Sequence, residues 1–299
     1  MSALKNLLST LIAPHLLAIL LLPGSLQVGA ENSAEHASET PAETVQSQTA
    51  EPPARIAIII DDIGYNLRQG IAAARLPGPL TLAVLPHSPN GVALAELGHE
   101  QGKQIMLHTP MSNLQRLPLD RGGLTETMAQ QEFVDVLYDN LESIPHVRGL
   151  NNHMGSYLTQ LDEPMTWLMT TLARENLFFI DSRTSADSIA WETAQSFQVP
   201  TNKRDVFLDN ERSFEAIDAQ FQQLLRIAHR RGQAIAIGHP YPETIDYLQQ
   251  VLPTLNASNV QLVPVSDLIP APSHHLSTGN TETLLPEGPS ASGTDSSEL

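Results

Sequence analysis

The 299-residue chain contains no cysteine, and this absence excludes several kinds of site. Disulfide bonds, thiolate zinc sites and cysteine nucleophiles all require a thiol. A Gly-x-Ser-x-Gly nucleophile elbow and the glycine-rich phosphate loops are also absent, which argues against a serine hydrolase and against a nucleotide-binding protein. The catalytic or binding chemistry must therefore come from other side chains, and the hydrophobic core alone must stabilise the fold.

Positive charge is scarce, with 16 lysines and arginines against 33 acidic residues and a net charge of −17. Residues 31–54 and 271–299 contain acidic residues but neither lysine nor arginine. We expect these two segments to be a disordered acidic linker and a disordered tail, because they lack apolar periodicity. Residues 55–270 then form a single domain. Its acidic balance argues against a nucleic acid as the partner.

The first thirty residues have the features of a secretory signal peptide. Lys5 is their only charged residue, an apolar stretch covers residues 11–22, and small residues at 28–30 offer a cleavage site. An uncleaved membrane anchor is the alternative, but residues 11–22 are fewer than the roughly 20 that a membrane-spanning helix needs. The sequence therefore predicts export to the periplasm or outside the cell, with no membrane span in the mature protein.

Strand-like and helix-like segments alternate between the two tails. Apolar runs predict strands at residues 55–60, 80–85, 104–107, 147–150, 177–180, 233–237 and 260–263. Amphipathic segments between them predict helices, including one over residues 215–231 that Gly232 ends. This alternation predicts an α/β domain with a parallel sheet and helices outside it, either a closed barrel or an open doubly wound sheet.

Unusual polar residues follow these predicted strands directly. They are Asp61, Asp62, His108, Asn151, Asn152, His153, Asp181 and, after Gly238, His239. In a β/α barrel the carboxyl ends of the strands meet at one mouth, where active sites are built. Taken singly, each residue could be a helix cap or a hydrogen-bonded structural residue. Taken together, histidines and aspartates without cysteine suit zinc or another divalent first-row metal.

Five segments resemble the motifs of the divergent polysaccharide deacetylase family. They are Ile-Ile-Ile-Asp-Asp-Ile-Gly (58–64), Leu-His-Thr-Pro-Met (107–111), Gly-Leu-Asn-Asn-His-Met-Gly-Ser (149–156), Phe-Ile-Asp-Ser-Arg-Thr (179–184) and Ile-Gly-His-Pro (237–240). That family is similar to the carbohydrate esterases that remove acetyl groups from chitin and peptidoglycan. The resemblance implies a distorted (β/α) barrel of about seven parallel strands.

The same resemblance implies a divalent metal, with zinc expected, held by Asp62, His108 and His153. The established deacetylases have a second histidine one turn after the first. Met111 stands near that place here, so we expect His153 from the next strand to replace the missing ligand.

The resemblance also implies the residues that handle protons. Asp61 corresponds to the base that activates water, and His239 corresponds to the acid that protonates the leaving amine. Asn152 and Asp181 are candidates for orienting a metal-binding imidazole. The arginine that orients the base in the established deacetylases has no convincing counterpart in this sequence.

Two functions follow from these residues. The first is a metal-dependent hydrolase that removes N-acetyl groups from peptidoglycan or another acetylated envelope polysaccharide. The alternative is a non-catalytic periplasmic protein that keeps the deacetylase fold and binds a glycan or a protein. Asp61 and His239 favour the enzyme, whereas Met111 and the missing arginine favour the binding protein.

Overall fold

The computed structural model describes residues 52–270. The predicted signal peptide (1–30), nearly all of the predicted linker (31–54) and the predicted tail (271–299) lie outside the described residues. Ala54, which we expected to end the linker, instead begins the first strand. None of the helices in the described range combines the length and apolar character that crossing a membrane requires.

Strands and helices alternate along the described residues. The strands are β1 (Ala54–Ile63), β2 (Thr81–Val84), β3 (Gln104–Met111), β4 (Val147–Met154), β5 (Phe178–Asp181), β6 (Thr201–Lys203), β7 (Val206–Phe207), β8 (Gln233–Gly238) and β9 (Val260–Leu262). The α-helices are α1 (Leu67–Ala74), α2 (Gly91–Glu100), α3 (Gln130–Glu142), α4 (Asp162–Glu175), α5 (Ala190–Ser196), α6 (Phe214–Arg231) and α7 (Pro242–Val251). Short 3₁₀ helices cover Leu158–Gln160, Leu252–Ser258 and Val265–Leu268.

The strands form one parallel sheet in the order β6-β5-β4-β3-β2-β1-β8-β7. The ninth strand, β9, pairs with the amino-terminal end of β1. The two ends of this order, β6 and β7, are separated in the chain by only Arg204 and Asp205. The sheet is a curled half-barrel with helices, so the predicted β/α barrel-like architecture is confirmed.

Both faces of the sheet are buried, and β1 shows why its sequence is a continuous β-branched run. Ile56, Ile58 and Ile60 pack in the large cluster that includes the helices, whereas Ala57 and Ile59 belong to a second cluster. This inner cluster is formed by Ala57, Ile59, Ala83, Met106, Phe178, Ile180, Ile235, Ile237, Val263, Val265 and Leu268. Because strand side chains alternate, residues two positions beyond an inner residue face the mouth of the curled sheet.

Among the strands and α-helices, three were not predicted from the sequence, namely β6, β7 and α5. They contain three, two and seven residues, respectively, which is too short for a period of two or of 3.6 residues to show. Long amphipathic helices were predictable. The α6 helix begins after Ser213, whose side chain accepts a hydrogen bond from the Ala216 amide (3.2 Å), and it ends at Gly232, where φ is 82°.

Candidate active site

Two consecutive aspartates at the end of β1 reach the same mouth because the strand is irregular there. Neighbouring residues of a regular strand point to opposite faces, and Asp61 continues the inner series after Ile59. The pairing of β1 with β2 shifts register between Ile60 and Ile63. Within this bulge Asp62 adopts a left-handed conformation with a φ of 56°, which turns its side chain toward the inner face.

Asp62, His108 and His153 bring three possible ligand atoms together. The Asp62 Oδ1 atom lies 3.2 Å from His108 Nε2 and 2.9 Å from His153 Nδ1, and the two ring nitrogens are 3.0 Å apart. His108 comes from β3 and His153 from β4, which pair in parallel. Asp62 Oδ1 is buried, and no hydrogen-bond donor is aligned on it. These three residues form the one group in the described chain that could hold a metal ion.

Asn151 links the possible ion site to Asp61, the predicted base. Its Nδ2 donates a hydrogen bond to Asp61 Oδ1 (2.9 Å), and its Oδ1 accepts one from His108 Nδ1 (2.7 Å). An ionised Asp61 can only accept, so the amide nitrogen must face it and the amide oxygen must face His108. His108 Nδ1 then donates to Asn151, so Nε2 is the ring nitrogen that faces Asp62 and His153.

The expectation that Asn152 and Asp181 orient a ligand imidazole is wrong. Both point away from the inner face, because Asp181 alternates with the inner Ile180 on β5 and Asn152 lies two residues after Leu150, which packs in the large outer cluster. Asn152 Nδ2 donates to the main-chain oxygen of Met154 (2.8 Å), and Asp181 Oδ2 accepts from Ser188 Oγ (2.8 Å). Asn151 has the role that we expected of them, and strict alternation with His153 was the signal that could have identified it.

The two aspartates have opposite pKa shifts although they are adjacent in sequence. Burial raises the pKa of Asp61, and the charges of His108 and His239 and the Asn151 hydrogen bond only partly offset it. Burial also opposes ionisation of Asp62, but His108 and His153 hold its pKa well below the usual range. Asp62 therefore stays ionised more readily than Asp61, whose carboxylate takes up a proton more easily.

His239 is held by a buried carboxylate that the sequence did not single out, that of Asp209. The His239 Nδ1 atom lies 2.9 Å from Asp209 Oδ1, and Asp209 Oδ2 accepts hydrogen bonds from the His239 amide (2.6 Å) and Thr244 Oγ1 (2.7 Å). Burial opposes the charged imidazole, but the Asp209 hydrogen bond and the nearby Asp61 raise the pKa of His239 to about 9. The imidazole is therefore protonated at neutral pH.

Two acidic residues at the site, Asp209 and Asp120, were not predicted from the sequence, for different reasons. Asp209 stands two residues after Phe207, which packs against the inner cluster, so it follows the same rule as Asp61. The two-residue length of β7 concealed it. Asp120 lies in the loop after β3, with its Oδ2 atom 3.6 Å from His153 Nε2. No regular spacing connects this loop residue to the strand ends.

The two departures from the established deacetylase motifs have structural explanations. Met111 is fully buried in the large hydrophobic cluster, and so its place supports packing rather than metal binding. Arg204, which directly follows β6, donates hydrogen bonds to the main-chain oxygens of Ser182 (2.7 Å) and Arg183 (2.9 Å). Asp61 is held by the neutral amide of Asn151 instead of by an arginine.

The arrangement combines a possible ion site with two proton-handling groups. A carboxylate oxygen and two imidazole nitrogens are a donor set that zinc and similar divalent ions accept, and their convergence in a buried place fits such an ion. Asp61 Oδ2 lies 3.6 Å from His108 Nε2, and His239 Nε2 lies 3.9 Å from Asp62 Oδ2. A carboxylate and an imidazole that could exchange protons therefore border the possible ion site.

Comparisons with known proteins identify relatives of this chain and a solved structure with the same fold. The uncharacterized protein YibQ of Escherichia coli (strain K12) is 35% identical over 235 residues, which cover 79% of this chain and 73% of that protein. An uncharacterized protein of Haemophilus influenzae is 36% identical over 214 residues, with 72% and 76% covered. The crystal structure of protein ATU2773 from Agrobacterium tumefaciens C58 shares the fold, with a TM-score of 0.70, 23% identity and coverage of 74% of this chain and 91% of that one.

The sequence model of one family covers most of the chain. It describes the divergent polysaccharide deacetylases and matches residues 58–269, which include the strand ends that carry Asp61, His108, His153 and His239. The chain belongs to the divergent polysaccharide deacetylase family.

Proposed function

We propose that the protein is an exported, metal-dependent hydrolase that removes N-acetyl groups from an envelope polysaccharide. One observation carries this proposal. The two proton-handling residues, Asp61 and His239, each lie within 4 Å of the group formed by Asp62, His108 and His153. A site that only bound a structural ion would need neither a buried base nor a protonated imidazole beside it.

Asp62, His108 and His153 are the residues that would hold the ion. Zinc is the expected metal because it commonly takes imidazole and carboxylate ligands with no cysteine present. A divalent ion there would act as a Lewis acid that makes water more acidic and withdraws electrons from the acetyl carbonyl.

Asp61 is positioned to act as the general base. In the hydrolysis of an acetamide, it takes a proton from the water whose oxygen bonds to the carbonyl carbon. Burial raises the pKa of Asp61, which brings its basicity closer to neutral pH, as general-base catalysis favours. The Asn151 hydrogen bond (2.9 Å) holds the carboxylate in place without supplying a positive charge that would weaken the base.

His239 is positioned to act as the general acid. Its Nδ1 faces Asp209, so the proton on Nε2 is the one available to the leaving nitrogen. Transfer of this proton lets the carbon–nitrogen bond break, and acetate and a free amine result. The Asp209 carboxylate stabilises the imidazolium form, which the raised pKa of about 9 reflects.

Family membership and the predicted signal peptide support an acetylated envelope glycan such as peptidoglycan as the substrate, and the periplasm or the exterior as the location. The net charge of −17 makes a nucleic acid an unsuitable partner.

The second candidate is a glycan-binding protein without catalysis. The contact that favours it is the neutral Asn151 amide beside Asp61, where the established deacetylases have an arginine. In that function the strand ends would hold an ion and a sugar, but Asp61 and His239 would contribute only to affinity or stability.

A release assay separates the two candidates. Metal-loaded wild-type protein is incubated with N-acetylglucosamine oligomers and with peptidoglycan fragments, and free acetate is measured with the metal content of the same sample. Acetate release that depends on the ion supports the hydrolase. A protein that retains stoichiometric ion and releases no acetate from either class is the binding protein.

A further inference from the structure

A tyrosine and an arginine extend the site beyond the proposed acid. Tyr241 follows His239 by two residues, and the two ring centroids are 5.3 Å apart. The guanidinium carbon of Arg212 lies 3.5 Å from the centre of the Tyr241 ring. Arg212 therefore stacks on a ring that itself flanks the proposed acid, and this cation–π contact orients an otherwise exposed side chain.

The Arg212 guanidinium lacks an acidic partner among residues 52–270. No carboxylate oxygen in that range lies within 4.0 Å of its nitrogens, whereas the exposed Arg231 contacts Asp205 at 2.9 Å. The neighbouring Glu211 is directed elsewhere, because its Oε1 accepts a hydrogen bond from Ser213 Oγ (3.4 Å). The edge of the guanidinium is thus free to bind a ligand.

Because the chain is strongly acidic, an arginine without an acidic partner is one of few places where an anion could bind. A protein with a net charge of −17 tends to repel anions over most of its surface. The planar guanidinium of an arginine matches the oxygen pairs of carboxylates and phosphates. Stacking on Tyr241 occupies one flat face of that group and leaves its hydrogen-bonding edge accessible.

We propose that Arg212, stacked on Tyr241, binds an anionic substituent of the glycan, carried next to the acetylated amine that enters the site. The preferred substrate is then an acetylated glycan with a carboxylate or a phosphate, and not a neutral polymer. This inference rests on the proposed binding of a glycan at the strand ends and deepens it.

Binding measurements test the inference independently of hydrolysis. The probes are a tetrasaccharide of alternating N-acetylglucosamine and N-acetylmuramic acid with free lactyl carboxylates, its methyl ester, and N-acetylglucosamine tetramer with and without a 6-phosphate. We expect wild type to bind one of the anionic probes about threefold to tenfold more tightly than its neutral counterpart, as an accessible charged pair allows. The preferred anion identifies the source of the charge, and added salt should reduce the preference.

Three variants show whether Arg212 causes the preference. Arg212→Gln should bind the anionic and neutral probes equally, and Arg212→Lys should retain part of the preference because it keeps the charge but loses the planar edge. Arg148→Gln is the matched control. It removes the same charge from an exposed position at the amino-terminal end of β4, away from His153 and the proposed glycan site. It should keep the wild-type preference. Thermal melting confirms that each variant is folded.

The outcomes for this inference and for the hydrolase are distinguishable. Equal binding of anionic and neutral probes by wild type, or a preference that survives Arg212→Gln, overturns the role of Arg212. Acetate release that is equally efficient from the neutral tetramer also overturns it while it supports the hydrolase. An Arg212-dependent preference without any acetate release supports the inference and refutes the hydrolase.

Discussion

Two histidine pairs lie at opposite ends of the strands, one at the carboxyl-terminal end and one at the amino-terminal end, and each has a carboxylate nearby. His108 and His153 come from the carboxyl-terminal parts of β3 and β4 and meet Asp62. His99 lies in the last turn of α2 and His146 stands just before β4, where its Nε2 atom is 2.8 Å from Glu96 Oε2. Both places combine two histidines with one carboxylate, so composition alone would not distinguish them.

The orientation of the rings distinguishes the two pairs. The rings of His99 and His146 stack with an interplanar angle of 7° and a centroid distance of 3.9 Å. Because imidazole lone pairs lie in the plane of the ring, stacked rings cannot direct them at a common point. His108 and His153 meet at 70°, with nitrogens 3.0 Å apart. Converging lone pairs, and not the number of histidines, therefore define the candidate ion site.

A large cavity lies beside the stacked pair and not beside the converging pair. Its volume is about 730 Å³, and His99, His146 and Arg148 line it at the amino-terminal end of the strands, which is the far end from the mouth. It contains no converging set of ligand atoms, and its polar groups are mostly those of exposed side chains. This cavity therefore does not coincide with the converging ligand atoms at the mouth of the sheet.

The largest expected effect concerns the proton-handling residues at the mouth. Asp61→Asn keeps the size of the side chain but removes its basicity, and His239→Ala removes the acid. Each should lower acetate release by about 10²–10⁴-fold while the bound metal remains stoichiometric, because general acids and bases typically contribute this much. Acetate assays and elemental analysis are made on the same preparations, with His99→Ala as the control from the other pair. Activity that survives both changes would contradict the proposed mechanism.

The next effect compares the two pairs as ligands. His153→Ala removes one of three possible protein ligands, so the affinity for zinc should fall by about 100-fold or more. His146→Ala removes the equivalent ring at the far end and should leave zinc affinity unchanged. Competition with a chromogenic chelator measures both. Equal losses in the two variants would show that the stacked pair binds the ion, and retention by His153→Ala would remove this residue from the ligand set.

A smaller effect is expected from the neighbours Asn151 and Asn152, which lie on opposite faces of β4. Asn151→Ala leaves His108 Nδ1 and Asp61 without their shared partner, so zinc affinity should fall about 10–100-fold, as losses of groups that orient metal ligands do. Asn152→Ala breaks contacts to Met154 and Ser182 and should lower the melting temperature without weakening zinc binding. The reverse pattern would mean that Asn152 orients the imidazole after all.

The residues at the mouth could largely be predicted from the sequence, because long buried strands appear as apolar runs and the polar residues that follow them are easy to find. The β1 run ending in Asp61 and Asp62 and the strands ending in His108, His153 and His239 all follow one rule for parallel sheets. The rest depends on structure that no local pattern encodes. The bulge that turns Asp62 inward needs a shift in register with β2, and Asp209 follows a strand of two residues.

The last prediction concerns pH and the pair formed by the partly exposed His239 and the buried Asp209. The folded-state pKa of His239 is about 9, above the 6.5 of a free imidazole, so the folded protein binds a proton that the unfolded chain releases more easily. The resulting stabilisation is fully present below pH 6.5 and is lost as pH rises through 9, with a total of about 1–3 kcal/mol. Asp209→Asn removes one of the carboxylates that raise the pKa of His239, so its free energy of unfolding should change less between pH 6.5 and 9. Urea unfolding in the presence of a chelator measures this, and His146→Ala, which removes a ring at the far end, should retain the wild-type profile. A profile for Asp209→Asn as steep as that of wild type would show that other groups cause the pH dependence.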